Sequence, residues 1–237
     1  MTELLKIEKL SAGYGRRDVI TNVSLSADKG AFIALMGPNG GGKTTLLRSA
    51  LGLLNTSSGS VLLSGEDAKR MTIRNRSKRL SFIPQVSSPL EGFSVEEIVA
   101  MGRNPHDTGA AKDKIAVDVS LERLNLISLR NTDVSHISGG EYQRVLIARA
   151  LAQETNIMLL DEPTAHLDIR YRIETMKILA SLKAEKLIIG AFHDIDLVRK
   201  YADRVVMMKS GKIVADGNIA QTLNDELLKA VFDIDPS

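Results

Sequence analysis

An α/β fold organised on a mainly parallel sheet is what this sequence predicts, on three observations. Continuous apolar runs of strand length recur, AFIALM from Ala31, IMLL from Ile157 and LIIGAF from Leu187, the pattern of strands buried on both faces. Stretches with helical spacing separate them, so the strands are joined by crossover helices and lie parallel. Short β-like runs follow one another at the amino end, and a hairpin pattern lies near residue 210, which predicts an antiparallel β subdomain beside the parallel core.

The elements follow in order. LLKIEKL and VITNVSLSA read as opening strands, and AFIALMG as a buried one. Leu46, Leu47, Ala50, Leu51 and Leu54 then recur at helical spacing. The turn at Ser57, Ser58 and Gly59 leads to VLLSG, a helix-like basic stretch from Ala68 to Arg79, and the strand LSFIPQ. Residues 86–140 read as a helical insertion, with helices at Val95 to Met101 and Ile115 to Leu124. Alternation then resumes with helix Glu141 to Gln153, strand NIMLLDE, helix Ile169 to Lys186, strand LIIGAFH and helix Ile195 to Tyr201. DRVVMMKSGKIVADG reads as a hairpin turning at Ser210 and Gly211, before a last helix from Asp225 to Phe232. The expectation is one domain over 1–237 with a helical subdomain at 86–140.

Composition narrows the function. Lys and Arg total 31 against 29 for Asp and Glu, so the net charge of +2 argues against a nucleic-acid partner, and 4% aromatics offer no base-stacking platform. There is no cysteine, which fits a reducing compartment. Glu3 and Lys6 interrupt the only apolar stretch of the amino terminus, so no export signal is expected there. No apolar run approaches the roughly 18 residues of a membrane span.

Gly37 to Thr44 spells GPNGGGKT, the phosphate-loop pattern, between a predicted strand and a predicted helix. The core is therefore expected to be a P-loop NTPase. Backbone N–H groups of Gly37, Pro38, Asn39, Gly40, Gly41 and Gly42 (proline excepted) turn toward phosphate oxygens at a helix amino terminus, which favours anions. Lys43 is expected to pair with the β- and γ-phosphates, Thr44 to offer its hydroxyl to Mg²⁺, and Thr45 to complete the nucleotide contact. Asp161 and Glu162 end an apolar strand; adjacent carboxylates there point apart, one toward metal and one toward the attacking water. Gln85 and His193 end two further strands, and ligands gather at the carboxyl edge of such sheets. Asp161, Thr44 and Gln85 are the expected metal residues, and Glu162, His193 and Gln85 the expected catalytic ones.

Ile137 to Glu141 reads ISGGE and opens a helix. Another anion site in a chain that already has a phosphate loop resembles the signature (usually LSGGQ) of ABC-type ATPases. The resemblance covers nearly the whole chain in the family's order. It implies that Tyr14 stacks on adenine, Gln85 is the Q-loop residue, Asp168 in AHLD belongs to the D-loop and His193 is the switch histidine. It also implies that Ser138, Gly139 and Gly140 of one copy close on the γ-phosphate of ATP held by another, so the partner is a second copy of the chain. Ile137 and Glu141 depart from the usual Leu and Gln.

FSVEEIVAMGRNPH, EPTAHLD and LLKAVFDID are similar to segments of the ATPase subunits that energise bacterial import of ferric siderophores, haem and cobalamin, although Asn104 replaces a frequent aromatic. That likeness implies integral membrane permease subunits, a substrate-binding protein reached through them, and a peripheral place on the cytoplasmic face of the inner membrane. Zinc or manganese importer ATPases and a soluble ABC ATPase without a transport role are the alternatives; a GTPase would need an NKxD-type motif, which is missing. Residues Val86 to Arg103 are the expected permease contacts, and the basic run from Lys69 to Arg79 is expected to be the solvated face of a helix carrying Met71, Ile73 and Leu80.

Overall fold

The computed structural model describes residues 3–15, 17–85 and 89–233. In chain order its first half runs β1 (Glu3–Tyr14), β2 (Arg17–Asp28), β3 (Phe32–Met36), α1 (Lys43–Ala50), β4 (Thr56–Leu63), β5 (Glu66–Asp67), α2 (Ile73–Ser77), β6 (Leu80–Ile83), α3 (Val95–Ala100) and α4 (Ala110–Arg123). The second half runs α5 (Gly139–Ala152), β7 (Ile157–Asp161), α6 (Ile169–Leu182), β8 (Leu187–Ala191), α7 (Ile195–Tyr201), β9 (Arg204–Lys209), β10 (Lys212–Asn218), α8 (Ile219–Thr222) and α9 (Asp225–Phe232).

Two sheets result. The larger has the order β10-β9-β3-β8-β7-β6, parallel throughout except for β10, which pairs antiparallel with β9. The smaller, β2-β1-β4-β5, is antiparallel. Side chains alternate across a strand, and in β3 they divide between two cores. Phe32, Ala34 and Met36 enter one with α3 to α7 and α9; Ile33 and Leu35 enter the other with α1 and the antiparallel sheet. Burial on both faces is why these strands read as unbroken apolar runs, each large side chain contributing roughly 1.5–3 kcal/mol.

The stretch from Ala68 to Arg79 is not one helix. Ala68–Arg70 forms a single 3₁₀ turn, Met71 and Thr72 are extended, and α2 begins anew with the Thr72 hydroxyl accepting from the Asn75 N–H. Met71 must bury its side chain at 7% exposure, and the extended step that places it there leaves Ile73 79% exposed. Helix α8 escaped the sequence reading. Its signal was present as a reciprocal cap, with Asn218 and Gln221 accepting each other's backbone N–H groups.

Between β6 and β7 the described residues hold helices and turns, joined by one isolated bridge, Ser94 to Asp133. Within this stretch Arg103 is buried. It donates to Asp113 at 2.9 Å, to Glu154 and the Ala152 carbonyl at 2.6 Å each, and to Thr108 at 3.0 Å. Of the expected permease contacts, Val86 lies outside the described residues, and Arg103, Val95, Ile98 and Val99 are buried and committed internally. That expectation is corrected for these four: a saturated guanidinium holding the end of α5 cannot also meet a partner. Arg103→Ala is expected to destabilise the chain by about 3 kcal/mol by leaving the buried Ala152 carbonyl without its donor and a cavity where the buried side chain packed. Urea denaturation measures it, and a loss under about 1 kcal/mol would refute the anchoring role.

Candidate functional site

The carboxyl ends of four neighbouring strands, β3, β8, β7 and β6, lie along one edge. Strand pairing brings Leu35 and Asp161 both opposite Ala191, and Leu160 opposite Ile83. From these ends the chain delivers the phosphate loop, His193, Asp161 with Glu162, and Gln85. A cleft of about 530 Å³ is lined by Asn39, Gly40, Gly41, Gly42, Lys43, Thr44, Thr45, Gln85, Glu162 and His193. Val19 of β2 lines it too, and sequence reasoning missed it, since nothing local to a β-strand marks a residue facing another segment's loop.

The loop's shape depends on glycine at its first position. A Cβ on Gly37 would fall 1.9 Å from the Met208 carbonyl of β9, so only glycine lets the loop pass beneath that strand. Lys43 folds back over the loop and donates to the carbonyls of Gly37 at 2.7 Å and Pro38 at 3.0 Å. Burial pushes its ammonium down from the ordinary lysine value, opposed by the carboxylates of Glu162 and Asp161.

Asp161 and Glu162 divide as adjacent residues at a strand end do. Asp161, 2% exposed, accepts the Thr44 hydroxyl at 2.9 Å. Glu162 adopts a left-handed backbone, φ 50°, which is uncommon for a non-glycine residue. Its carboxylate accepts from Gln85 Nε2 at 3.0 Å and meets His193 Nε2 at 2.7 Å. Three strand ends thus converge on one carboxylate.

Thr44 and Asp161 offer hard oxygen donors side by side, which suits Mg²⁺, a cation bound through one or two protein oxygens together with phosphates and water. Among the described residues no three of His, Asp and Glu converge as a metal cage, so such a cation would take its other ligands from nucleotide and water. Gln85 is engaged with Glu162 and has no bond to the Thr44–Asp161 pair.

The other expected residues lie apart from the cleft. Ser138, exposed, caps α5 reciprocally: the Glu141 carboxylate accepts from the Ser138 N–H at 2.8 Å and from its hydroxyl at 2.7 Å, and those bonds hold the Glu141 carboxyl below its usual range. Gly140 packs where a Cβ would meet the Tyr171 ring at 2.1 Å, and Gly139 is exposed beside it. Asp168, exposed, caps α6 by accepting from the Tyr171 N–H at 3.1 Å. Tyr14, 48% exposed at the end of β1, accepts a 3.5 Å contact from Arg48 of α1.

A family model described as ABC transporter matches residues 20–165, more than half of the chain. The chain belongs to the ABC transporter family. It is 37% identical over 219 residues to the cobalamin import ATP-binding protein of Halobacterium salinarum (strain ATCC 29341 / DSM 671 / R1), covering 91% of the chain and 55% of that protein. The chain thus spans about half that relative's length. It is 32% identical over 237 residues to the iron(3+)-hydroxamate import ATP-binding protein of Bacillus subtilis (strain 168), covering 98% of the chain and 88% of that protein. Its fold superposes with a TM-score of 0.87 at 25% identity, covering 98% of both chains, on the ADP conformation of an ATP-binding cassette of an ABC transporter.

Asp161 gives this ABC transporter chain a measurable cost. Burial, chiefly, and the neighbouring Glu162 hold its carboxyl above the ordinary aspartate value, against the opposing Thr44 hydroxyl. A group raised in the fold contributes stability while protonated and loses it as pH rises through its folded value. Asp161→Asn is therefore expected to leave the nucleotide-free melting temperature unchanged or raised at pH 7, with the gain shrinking as pH falls through the acid range. A lower melting temperature at pH 7 would contradict this.

Proposed function

We propose that this chain is the ATP-hydrolysing subunit of an importer for iron complexes or cobalamin, working as a pair of identical copies on membrane permease subunits. The observation that carries the reading is the division of the site. The phosphate loop with Lys43 and Thr44, Gln85, Glu162 and His193 line one cleft, with Asp161 buried behind Thr44, while the exposed signature residues Ser138 and Gly139 lie outside it. A second copy supplies them. The import functions named for the Halobacterium and Bacillus relatives support the substrate class.

ATP entering the cleft offers Lys43 phosphate oxygens in exchange for its two loop carbonyls, and the N–H groups of Gly40 to Thr45 surround the same phosphates. Thr44 and Asp161 would hold the Mg²⁺ that accompanies ATP, and what it would supply there is neutralisation of the phosphate charge. Glu162 accepts a proton from the attacking water. Gln85 and His193 position its carboxylate and report, through their own strand ends, whether the γ-phosphate is present. Closing the second copy brings Ser138, Gly139 and Gly140 onto that phosphate, with Asp168 and its neighbours at the seam. ADP lacks the group they grip, so only ATP favours the closed pair.

No helix among the described residues is long and apolar enough to cross a membrane; transport takes place through the permease, with the chain peripheral on its cytoplasmic side and a substrate-binding protein on the other. The permease seats in the groove between the carboxyl end of α1, α2, β6 and the turn after α3. Residues 86–140 form the helical subdomain of a single ATPase domain, and Tyr14 stacks on adenine beyond the phosphates.

Glu162→Gln tests the chemistry. Turnover is expected to fall by roughly 10²- to 10⁴-fold, the contribution of a positioned base, with ATP affinity within about threefold of wild type by equilibrium binding. Normal turnover, or lost affinity, would overturn the assignment of Glu162.

A further inference from the structure

Helices α3 and α5 open with the same cap. At α5 the Glu141 carboxylate accepts the Ser138 N–H at 2.8 Å and its hydroxyl at 2.7 Å, and the Ser138 oxygen accepts the Glu141 N–H at 3.3 Å. At α3 Glu97 and Ser94 repeat the three bonds at 2.8, 2.7 and 3.3 Å. Such a reciprocal box is an ordinary way to start a helix, and nothing about α3 asks more of it.

At α5 the same bonds have a second consequence. The hydroxyl and N–H that Ser138 gives to Glu141 are the donors that a γ-phosphate held by another copy would take. A hydroxyl has one proton, so while Glu141 holds it Ser138 presents only lone pairs to an incoming anion. The bonds from the Ser138 hydroxyl and N–H hold the Glu141 carboxyl below the ordinary glutamate range, and the Arg144 guanidinium one turn along α5 favours the same charged form. Two like charges would thus meet at the start of the helix, and like charges brought together across an interface weaken it. Glutamine, the usual residue at this position of the signature, builds the same box through its carbonyl oxygen without a charge, and its amide N–H groups can turn toward a phosphate.

We propose that Glu141 restrains the joining of two copies: its carboxylate withholds the Ser138 donors from the γ-phosphate bound by the other copy, and its charge repels that phosphate. This rests on the two-copy reading above. Glu141 is a positioning residue, acting through Ser138, and it sets how much ATP-bound partner the chain needs before it closes. The bonds that start the helix are the same ones that hold the signature back.

The test measures the dimerisation constant of the full chain by sedimentation equilibrium at saturating ATP and Mg²⁺, with Glu162→Gln in every sample so that the nucleotide persists. Adding Glu141→Gln is expected to tighten pairing about tenfold or more, since each pair carries two signatures. The free chain is expected to melt slightly lower at the same time, because the start of α5 loses a negative charge. A residue that only held the helix would lower both. Glu97→Gln, which changes the matching cap on α3, is expected to lower the melting temperature similarly and to leave pairing within twofold of the parent. Pairing of the Glu141→Gln protein equal to or weaker than that of the parent overturns the proposal and leaves the two-copy reading standing, as does an equal gain from Glu97→Gln. A parent that stays single while Glu141→Gln pairs supports it. If neither pairs with ATP, the proposal and the two-copy reading fail together.

Discussion

The site depends on the register of four parallel strands. β3, β8, β7 and β6 end together, and a slip of one residue would flip every side chain to the opposite face. Such a slip in β7 would exchange Asp161 and Glu162, placing the wrong carboxylate beside Thr44. Burial on both faces prevents it: Met158 and Leu160 belong to one core and Ile157 and Leu159 to the other. The apolar runs that define the fold are therefore what hold the chemistry in place, to within the length of a hydrogen bond.

At rest, the chain satisfies its reactive groups with its own atoms. Lys43 is held by two loop carbonyls, Glu162 by Gln85 and His193, and Ser138 by Glu141. Each bond is one that nucleotide or a second copy can replace with a comparable one. On the proposed function, the free-energy difference between separate and joined copies would rest on the γ-phosphate, which gives ATP its differential affinity. Local cost accumulates at the same place, in the left-handed Glu162 and the buried Asp161 carboxyl, as it does at sites shaped for a ligand more than for stability.

Much of this was legible in the sequence because it is local. Strand runs, the spacing of the phosphate loop and the helix at Ile195 to Tyr201 depend on neighbours in sequence. The convergence of Gln85, Glu162 and His193 followed from parallel strand ends sharing an edge. What escaped required distant partners. The break at Met71 depends on burial beneath a strand elsewhere, and helical spacing alone cannot reveal it. Arg103 was grouped with the expected permease contacts because its partners Asp113 and Glu154 lie 10 and 51 residues away.

On the proposed function, ATP joins two copies through the signature of each. The most direct measurement is the solution mass of Glu162→Gln by light scattering with saturating Mg²⁺ and either ATP or ADP. Twice the chain mass is expected with ATP and a single chain mass with ADP, with Ser138→Arg abolishing the ATP-dependent pair. A single chain mass under both nucleotides, or a pair indifferent to which is present, would contradict it.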